Sequence, residues 1–163
     1  MLMKIKVGFG FDVHKLQEGE PLWIGGVNIP SEKGAIGHSD ADVLIHAICD
    51  AILGALNQRD IGFHFPNTDP KFKGIESMKL LEKVCDMVRE HKYTVNNIDS
   101  TLCLEKPKIS KYIPEMKKAL ASVSCLNEED ISIKATTTEK LGFTGREEGV
   151  AAYAVVLIKK NGI

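Results

Sequence analysis

The sequence is short of the features that mark several protein classes. It carries only four cysteines, Cys49, Cys85, Cys103 and Cys125, widely spaced and with no CxxC pair. That excludes a disulfide framework and a thiolate metal site, and leaves small core residues in a reducing compartment. No segment approaches the roughly 18 consecutive apolar residues of a membrane span. The N-terminus, MLMKIKVGFGFD, has neither a long apolar run nor a small-residue cleavage site. The expectation is a cytoplasmic protein, or an organellar one if a transit peptide has been removed. Charge of one sign is lacking too: the net charge is −1, with both signs mixed. There is no basic block for nucleic acid and no basic amphipathic helix for a membrane surface. An anionic ligand must therefore be held by local groups, not by a global field. Internal repeats, low-complexity tracts and linkers are also missing.

What remains is an ordinary globular balance, 44% hydrophobic and 26% charged over 163 residues. That predicts one domain spanning 1–163. From Lys4 to His14 apolar and polar residues alternate, which predicts a half-buried strand with Ile5, Val7, Phe9, Phe11 and Val13 on its apolar face. Gly8 and Gly10 signal a bulge or the close approach of another backbone. Leu22 to Ile29, with Gly25-Gly26 inside, reads as a hairpin. Ser39 to Leu56 reads as a helix capped by Ser39, with Ile45, Ile48, Ile52 and Leu56 as its apolar stripe. A turn-rich stretch follows, then an amphipathic helix from Ile75 to His91 with Met78, Leu81, Cys85 and Val88 inward. Strands are predicted at Ile98–Glu105, Ile131–Ala135 and Val150–Ile158, the last buried on both faces because its apolar run is nearly continuous. Pro114 suits the first turn of a third helix ending near Ser124. The fold class is α/β of the α+β type: a mixed sheet packed on one side by about three helices.

Three places carry residues suited to chemistry. Asp12 and His14, two apart on a strand, point the same way, and His46 follows on the next helix. Three O/N ligands with an open fourth position is how catalytic zinc is held. Asp42, one turn before His46, is placed to orient that imidazole. Spacing alone favours the plainer reading of a strand end and a satisfied histidine. His38-Ser39 precedes the helix, where free N–H groups bind phosphate, although plain capping by Ser39 explains it as well. KATTTEKLGFTGR, from Lys134 to Arg146, is either a solvated loop or a cradle for a metal–diphosphate group. His64, His91 and the Lys/Glu run from Lys79 to Glu90 read as helix-end and surface residues.

Taken in order, GFDVH, IGG, HSDADVLIHAICDAILGA, DIG, FPNTDP, KG, EKPK and KATTTEKLGFTGR resemble the 2-C-methyl-D-erythritol 2,4-cyclodiphosphate synthase family of the non-mevalonate isoprenoid pathway. The resemblance runs from about Lys6 to Ile158. It implies a homotrimer with sheets around a three-fold axis and sites between subunits. It implies zinc on Asp12, His14 and His46, and a second ion, magnesium or manganese, on Glu139. His38, Ser39, Glu139 and Asp69 are implied as catalytic. Asp60 falls at the cytidine ribose, and Gly62 is implied as substrate-binding. Asn67 and Asp69 face the methylerythritol; Pro107, Lys108, Ala135, Thr136 and Thr137 form the cytidine-phosphate pocket; Phe143 joins the substrate set. Arg146 matches a residue of an apolar three-fold channel where isoprenoid diphosphates have been proposed to bind. The implied reaction cyclises 4-diphosphocytidyl-2-C-methyl-D-erythritol 2-phosphate and releases CMP. A zinc phosphoesterase and a non-catalytic isoprenoid-diphosphate binder are the alternatives. Asn67 departs from the family, which usually has Asp there.

Overall fold

A computed structural model describes residues 4–162. The first strand, β1 (Ile5–Glu18), is followed by a small hairpin, β2 (Leu22–Ile24) and β3 (Val27–Ile29), and by a short strand β4 (Lys33–Ile36). Then come α1 (Val43–Leu56), a single turn α2 (Ile61–His64), α3 (Ser77–Glu90), β5 (Tyr93–Cys103), α4 (Ile113–Ser124), β6 (Ile131–Thr136), a second single turn α5 (Gly142–Gly145) and β7 (Gly149–Lys160). Five strands form one sheet in the order β4-β1-β7-β5-β6. Only the β5–β6 pair is parallel, joined by α4 as a crossover. α1 lies across β1 and β7, α3 against β5 and α4 against β6. The three long helices thus cover one face. The mixed sheet agrees with the sequence expectation; β4 and the two single turns are additions to it.

The orientation of β1 is the reverse of what its pattern predicts. Ile5, Val7, Phe9, Phe11 and Val13 are 43–64% exposed, and the face toward the helices carries Gly8, Gly10, Asp12 and His14. The cause is how closely α1 sits on this strand. A Cβ at Gly8 would lie 1.7 Å from the Ala51 carbonyl oxygen, and one at Gly10 would lie 1.9 Å from that of Ala47. No side chain fits there, so the large residues turn to the open face. β7 follows the same rule: Ala152, Ala154, Val156 and Ile158 are buried, whereas Tyr153 and Val155 are 40% and 42% exposed. Its first residues, Gly149 to Ala152, are buried on both faces as expected, but from Tyr153 onward it is buried on one face only.

α1 is the centre of the core, with every residue but Asp50 and Gly54 buried. A helix buried on nearly all sides needs its ends satisfied within the protein. Asp42, not Ser39, is its N-cap, accepting the Ile45 N–H at 3.1 Å. The same carboxylate accepts the N–H groups of Gly25 and Gly26 at 2.9 and 2.7 Å, clamping the left-handed turn of the β2–β3 hairpin to the helix start. The Asp42 carbonyl accepts the His46 N–H at 3.1 Å, but the Asp42 carboxylate makes no hydrogen bond to the imidazole and so does not orient it. Among the cysteines, Cys49 and Cys85 are buried as expected, Cys103 is partly buried, and Cys125 is exposed. No helix among the described residues is long and apolar enough to cross a membrane.

Candidate active site

β1, β5 and β6 run in one direction, with β7 opposed between β1 and β5. Asp12 pairs with Ala152, and Ala152 with Leu102. The last residues of β1, the EKPK turn after β5 and the threonine run after β6 therefore all lie at one end of the sheet.

The glycine seam under α1 brings His46 onto the two β1 residues. His14 Nε2 lies 2.9 Å from Asp12 Oδ2, His46 Nδ1 lies 3.0 Å from the same oxygen, and the two nitrogens are 3.0 Å apart. This is the one cluster among the described residues that could hold a metal ion. Its edges are somewhat shorter than the roughly 3.4 Å that bonds of about 2.1 Å in a tetrahedron give. The outer side of His14 is fixed: Nδ1 donates to the Ile36 carbonyl at 3.1 Å, which leaves the lone pair of Nε2 inside the triangle. A carboxylate and an imidazole lone pair aimed at one point call for a cation, so the donor set fits a divalent metal. His46 turns Nε2 outward, to Ser77 Oγ at 2.9 Å and Ser39 Oγ at 3.1 Å. Burial would raise the Asp12 carboxyl; the hydrogen bonds and charges of His14 and His46 outweigh it and hold Asp12 well below the usual carboxylate range. Burial would lower His46, and its hydrogen bond and charge interaction with Asp12 raise it instead.

The triangle opens into a cleft of about 200 Å³, lined also by His38, Ser39, Gly62, Phe65 and Asn67. Here the structure brings together residues from four separate motifs. Asp60 stands at the edge as the N-cap of α2, accepting the Phe63 N–H at 3.0 Å. Asp69 caps a 3-10 turn and pairs with Lys71 at 2.9 Å, an exposed contact that lowers its pKa. Neither Asp60 nor Asp69 lines the cleft.

A second cleft lies beyond β7, walled by Glu105, Pro107, Lys108, Ala135, Thr136 and Thr137 together with Leu104, Ile109 and Ser110. It shares no residue with the first. Glu105 shapes the loop beside it by accepting the N–H groups of Thr138 at 2.9 Å and Lys140 at 3.4 Å. Glu139, between them, is exposed and has φ +54°. Phe143 packs over Gly149, where a Cβ would come within 2.9 Å of its ring. Arg146 is paired in two contacts of 3.1 Å with Glu148. Glu139, Phe143 and Arg146 line neither cleft within one chain. The motif reading missed Ser77, Asp40 and the loop-holding role of Glu105; Glu105 sits in the EKPK string, while Ser77 had no signal beyond opening a helix.

A model of the YgbB family matches residues 5–159. The chain is 61% identical over 158 residues to a 2-C-methyl-D-erythritol 2,4-cyclodiphosphate synthase of Cytophaga hutchinsonii, covering 97% of this chain and 99% of that one. It is 60% identical to the same-named protein of Bacteroides fragilis, with the same coverage. Among solved structures it matches the bifunctional IspDF of Campylobacter jejuni with a TM-score of 0.93 and 45% identity, over 98% of this chain and 43% of that longer one. It matches the CDP complex of Plasmodium falciparum IspF with a TM-score of 0.86 and 32% identity, over 99% and 100%. The chain belongs to the YgbB family, that of the 2-C-methyl-D-erythritol 2,4-cyclodiphosphate synthases.

Proposed function

We propose that this protein is a phosphorus–oxygen lyase that cyclises 4-diphosphocytidyl-2-C-methyl-D-erythritol 2-phosphate to 2-C-methyl-D-erythritol 2,4-cyclodiphosphate and releases CMP. The observation that carries this is the Asp12–His14–His46 triangle, opening into a cleft, in a chain 61% identical to a protein named for that product. An oxygen of the substrate's own 2-phosphate bonds to the β-phosphorus. The bond from that phosphorus to the bridging oxygen breaks, and its electron pair leaves with CMP. Nucleophile and electrophile share one molecule, so positioning and charge neutralisation suffice and no protein nucleophile is needed.

Asp12, His14 and His46 would hold zinc, which when bound supplies a Lewis acid beside the phosphate oxygens. His38 and Ser39 on the cleft wall meet the phosphate and the polyol. Asn67 and Asp69 meet the methylerythritol hydroxyls, Asp60 the ribose, and Gly62 contributes cleft wall. Pro107, Lys108, Ala135, Thr136 and Thr137 cradle the cytidine phosphates, Phe143 belongs to the substrate-binding set, and Glu139 would hold magnesium or manganese. Two facts support a homotrimer with shared sites. The zinc-side and nucleotide-side clefts of one chain are separate, with β7 between their strands and about 10 Å from β1 to β5. The open sheet face, with Phe9, Phe11, Val13, Tyr153 and Val155, is an apolar patch of the kind that marks an interface. Arg146 would then stand at a three-fold channel open to an isoprenoid diphosphate.

Phosphorus NMR of the reaction with the authentic substrate, zinc and magnesium tests the reading. A cyclic diphosphate together with CMP is the expected result. A linear hydrolysed product would make the protein a zinc phosphoesterase, and binding without turnover a non-catalytic binder.

A further inference from the structure

We infer that Ser77 and Asp40 are positioning residues that decide which nitrogen of His46 is offered to the metal. The inference rests on the metal reading of Asp12, His14 and His46. Ser77 opens α3, 31 residues from His46 in the chain, and is fully buried. A serine hydroxyl has one hydrogen to give. That hydrogen is committed, because Ser77 Oγ makes a short contact with Asp40 Oδ1 and a carboxylate only accepts. Asp40 is itself held in place: its Oδ2 accepts the Ser77 N–H at 3.0 Å, and its Oδ1 the Asp42 N–H at 3.3 Å.

Ser77 Oγ can therefore meet His46 Nε2, at 2.9 Å, only as an acceptor. Nε2 must carry the hydrogen. A neutral imidazole then has its lone pair on Nδ1, the atom 3.0 Å from both Asp12 Oδ2 and His14 Nε2. The other hydroxyl at this nitrogen, Ser39 Oγ at 3.1 Å, cannot make the choice. Its hydrogen is not tied to a carboxylate, so it serves either tautomer. Without the Asp40–Ser77 pair, the proton of a neutral His46 is free to move to Nδ1, where Asp12 accepts it and closes the triangle against a cation.

Two variants test this, with Zn²⁺ as the probe. Ser77→Ala removes the acceptor. Asp40→Asn keeps the volume and removes the carboxylate: the NH2 must face either the Ser77 N–H or both Ser77 Oγ and the Asp42 N–H, so the Ser77 hydrogen is no longer held by a charge and can turn to Nε2. Zinc affinity, read by chelator competition on folded protein, should fall about 10- to 100-fold in both. Nitrogen-15 spectra of the metal-free proteins, taken where His46 is neutral, should show hydrogen on Nε2 in the parent and a shift toward Nδ1 in the variants. If Ser77→Ala does not fold, Asp40→Asn carries the test alone. A purely structural role would lower the thermal midpoint and leave the tautomer where it is. Zinc affinities within about threefold of the parent, or hydrogen on Nδ1 in the parent, would overturn the inference. A parent that binds no zinc would instead overturn the metal reading, with the tautomer still readable.

Discussion

At the same end of the sheet, two corners are built on opposite plans. At the β1–α1 corner, Asp12, His14 and His46 touch one another, and Ile36, Ser39, Ser77 and Asp40 back them. At the β5–β6 corner, Lys108, Ala135, Thr136, Thr137 and Glu139 all stand exposed. Ligand atoms that repel one another stay close only if second partners hold each in place, and those partners must come from the same rigid body. A nucleotide cradle needs no such assembly, since backbone groups and hydroxyls can wait in solvent for their ligand. The cluster that could hold a metal is complete in one chain, and in the proposed trimer the open nucleotide corner would be walled by a neighbour.

Removing the centre of the built corner should have the largest effect. His46→Ala is expected to lose its zinc and to lower kcat/KM by at least about a thousandfold, roughly 4 kcal/mol of transition-state stabilisation. The proposed trimer should persist, as light scattering will tell, and full zinc content by metal analysis would refute the ligand assignment. The pH dependence follows from the same contacts. His46 is raised by Asp12, so in metal-free protein its pairing stabilises the fold below the ordinary histidine value and is lost as pH rises through the raised one. Zinc must displace that proton. The gain in thermal midpoint on zinc loading should therefore grow from about pH 6 to pH 9, and His46→Ala should abolish the trend.

The second test separates the corners. Phe11→Asp puts a charge in the middle of the open apolar face, where Phe11 stacks near Tyr153 at 5.0 Å between ring centroids. The expected product is a folded monomer that binds zinc within about threefold of the parent and loses at least about a hundredfold in turnover. A fully active monomer would mean that one chain completes both corners. Within the open corner, Glu139→Gln should keep the thermal midpoint and the zinc content while kcat falls about a hundredfold. A large drop in midpoint would mark Glu139 as a structural residue of its left-handed turn.

The same contrast explains what the sequence could reveal. The strand–helix order was legible because it depends on local periodicity; the spacing of Asp12, His14 and His46 favoured a plainer reading, and only the family resemblance pointed to the three residues that the structure brings together. The facing of β1 was not legible, because alternation says which residues share a face but not which face receives the helix. Gly8 and Gly10 held that information, since only they admit the backbone of α1 at contact distance. The assignment of Asp42 to His46 failed for a related reason. One helical turn of separation suggested a pair, but the carboxylate is drawn to the N–H groups of Gly25, Gly26 and Ile45. Ser77 and Asp40 meet His46 only through the packing of α3 beside α1, a contact between distant segments that leaves no local pattern.

The smallest effect is expected where the two corners share the substrate. Asn67 lines the zinc-side cleft at the position where the family usually has Asp. If a carboxylate there served as a general base, Asn could not replace it, because an amide does not take up a proton at neutral pH. If it only accepts hydrogen bonds from substrate hydroxyls, the Asn carbonyl oxygen does the same in nearly the same volume. The attacking 2-phosphate is already ionised and needs no base, which favours the second role. The surroundings point the same way. Asp12 is already held ionised in this cleft, and a further negative charge beside a polyanionic substrate adds repulsion. The protein should thus be active as it stands, and Asn67→Asp should change kcat/KM by less than about tenfold, or about 1.4 kcal/mol. Parallel assays of parent and variant with full substrate, zinc and magnesium decide the matter. An inert parent rescued by Asn67→Asp would show that the carboxylate does chemistry, and that the contrast between a built corner and a waiting one leaves out a proton transfer between them.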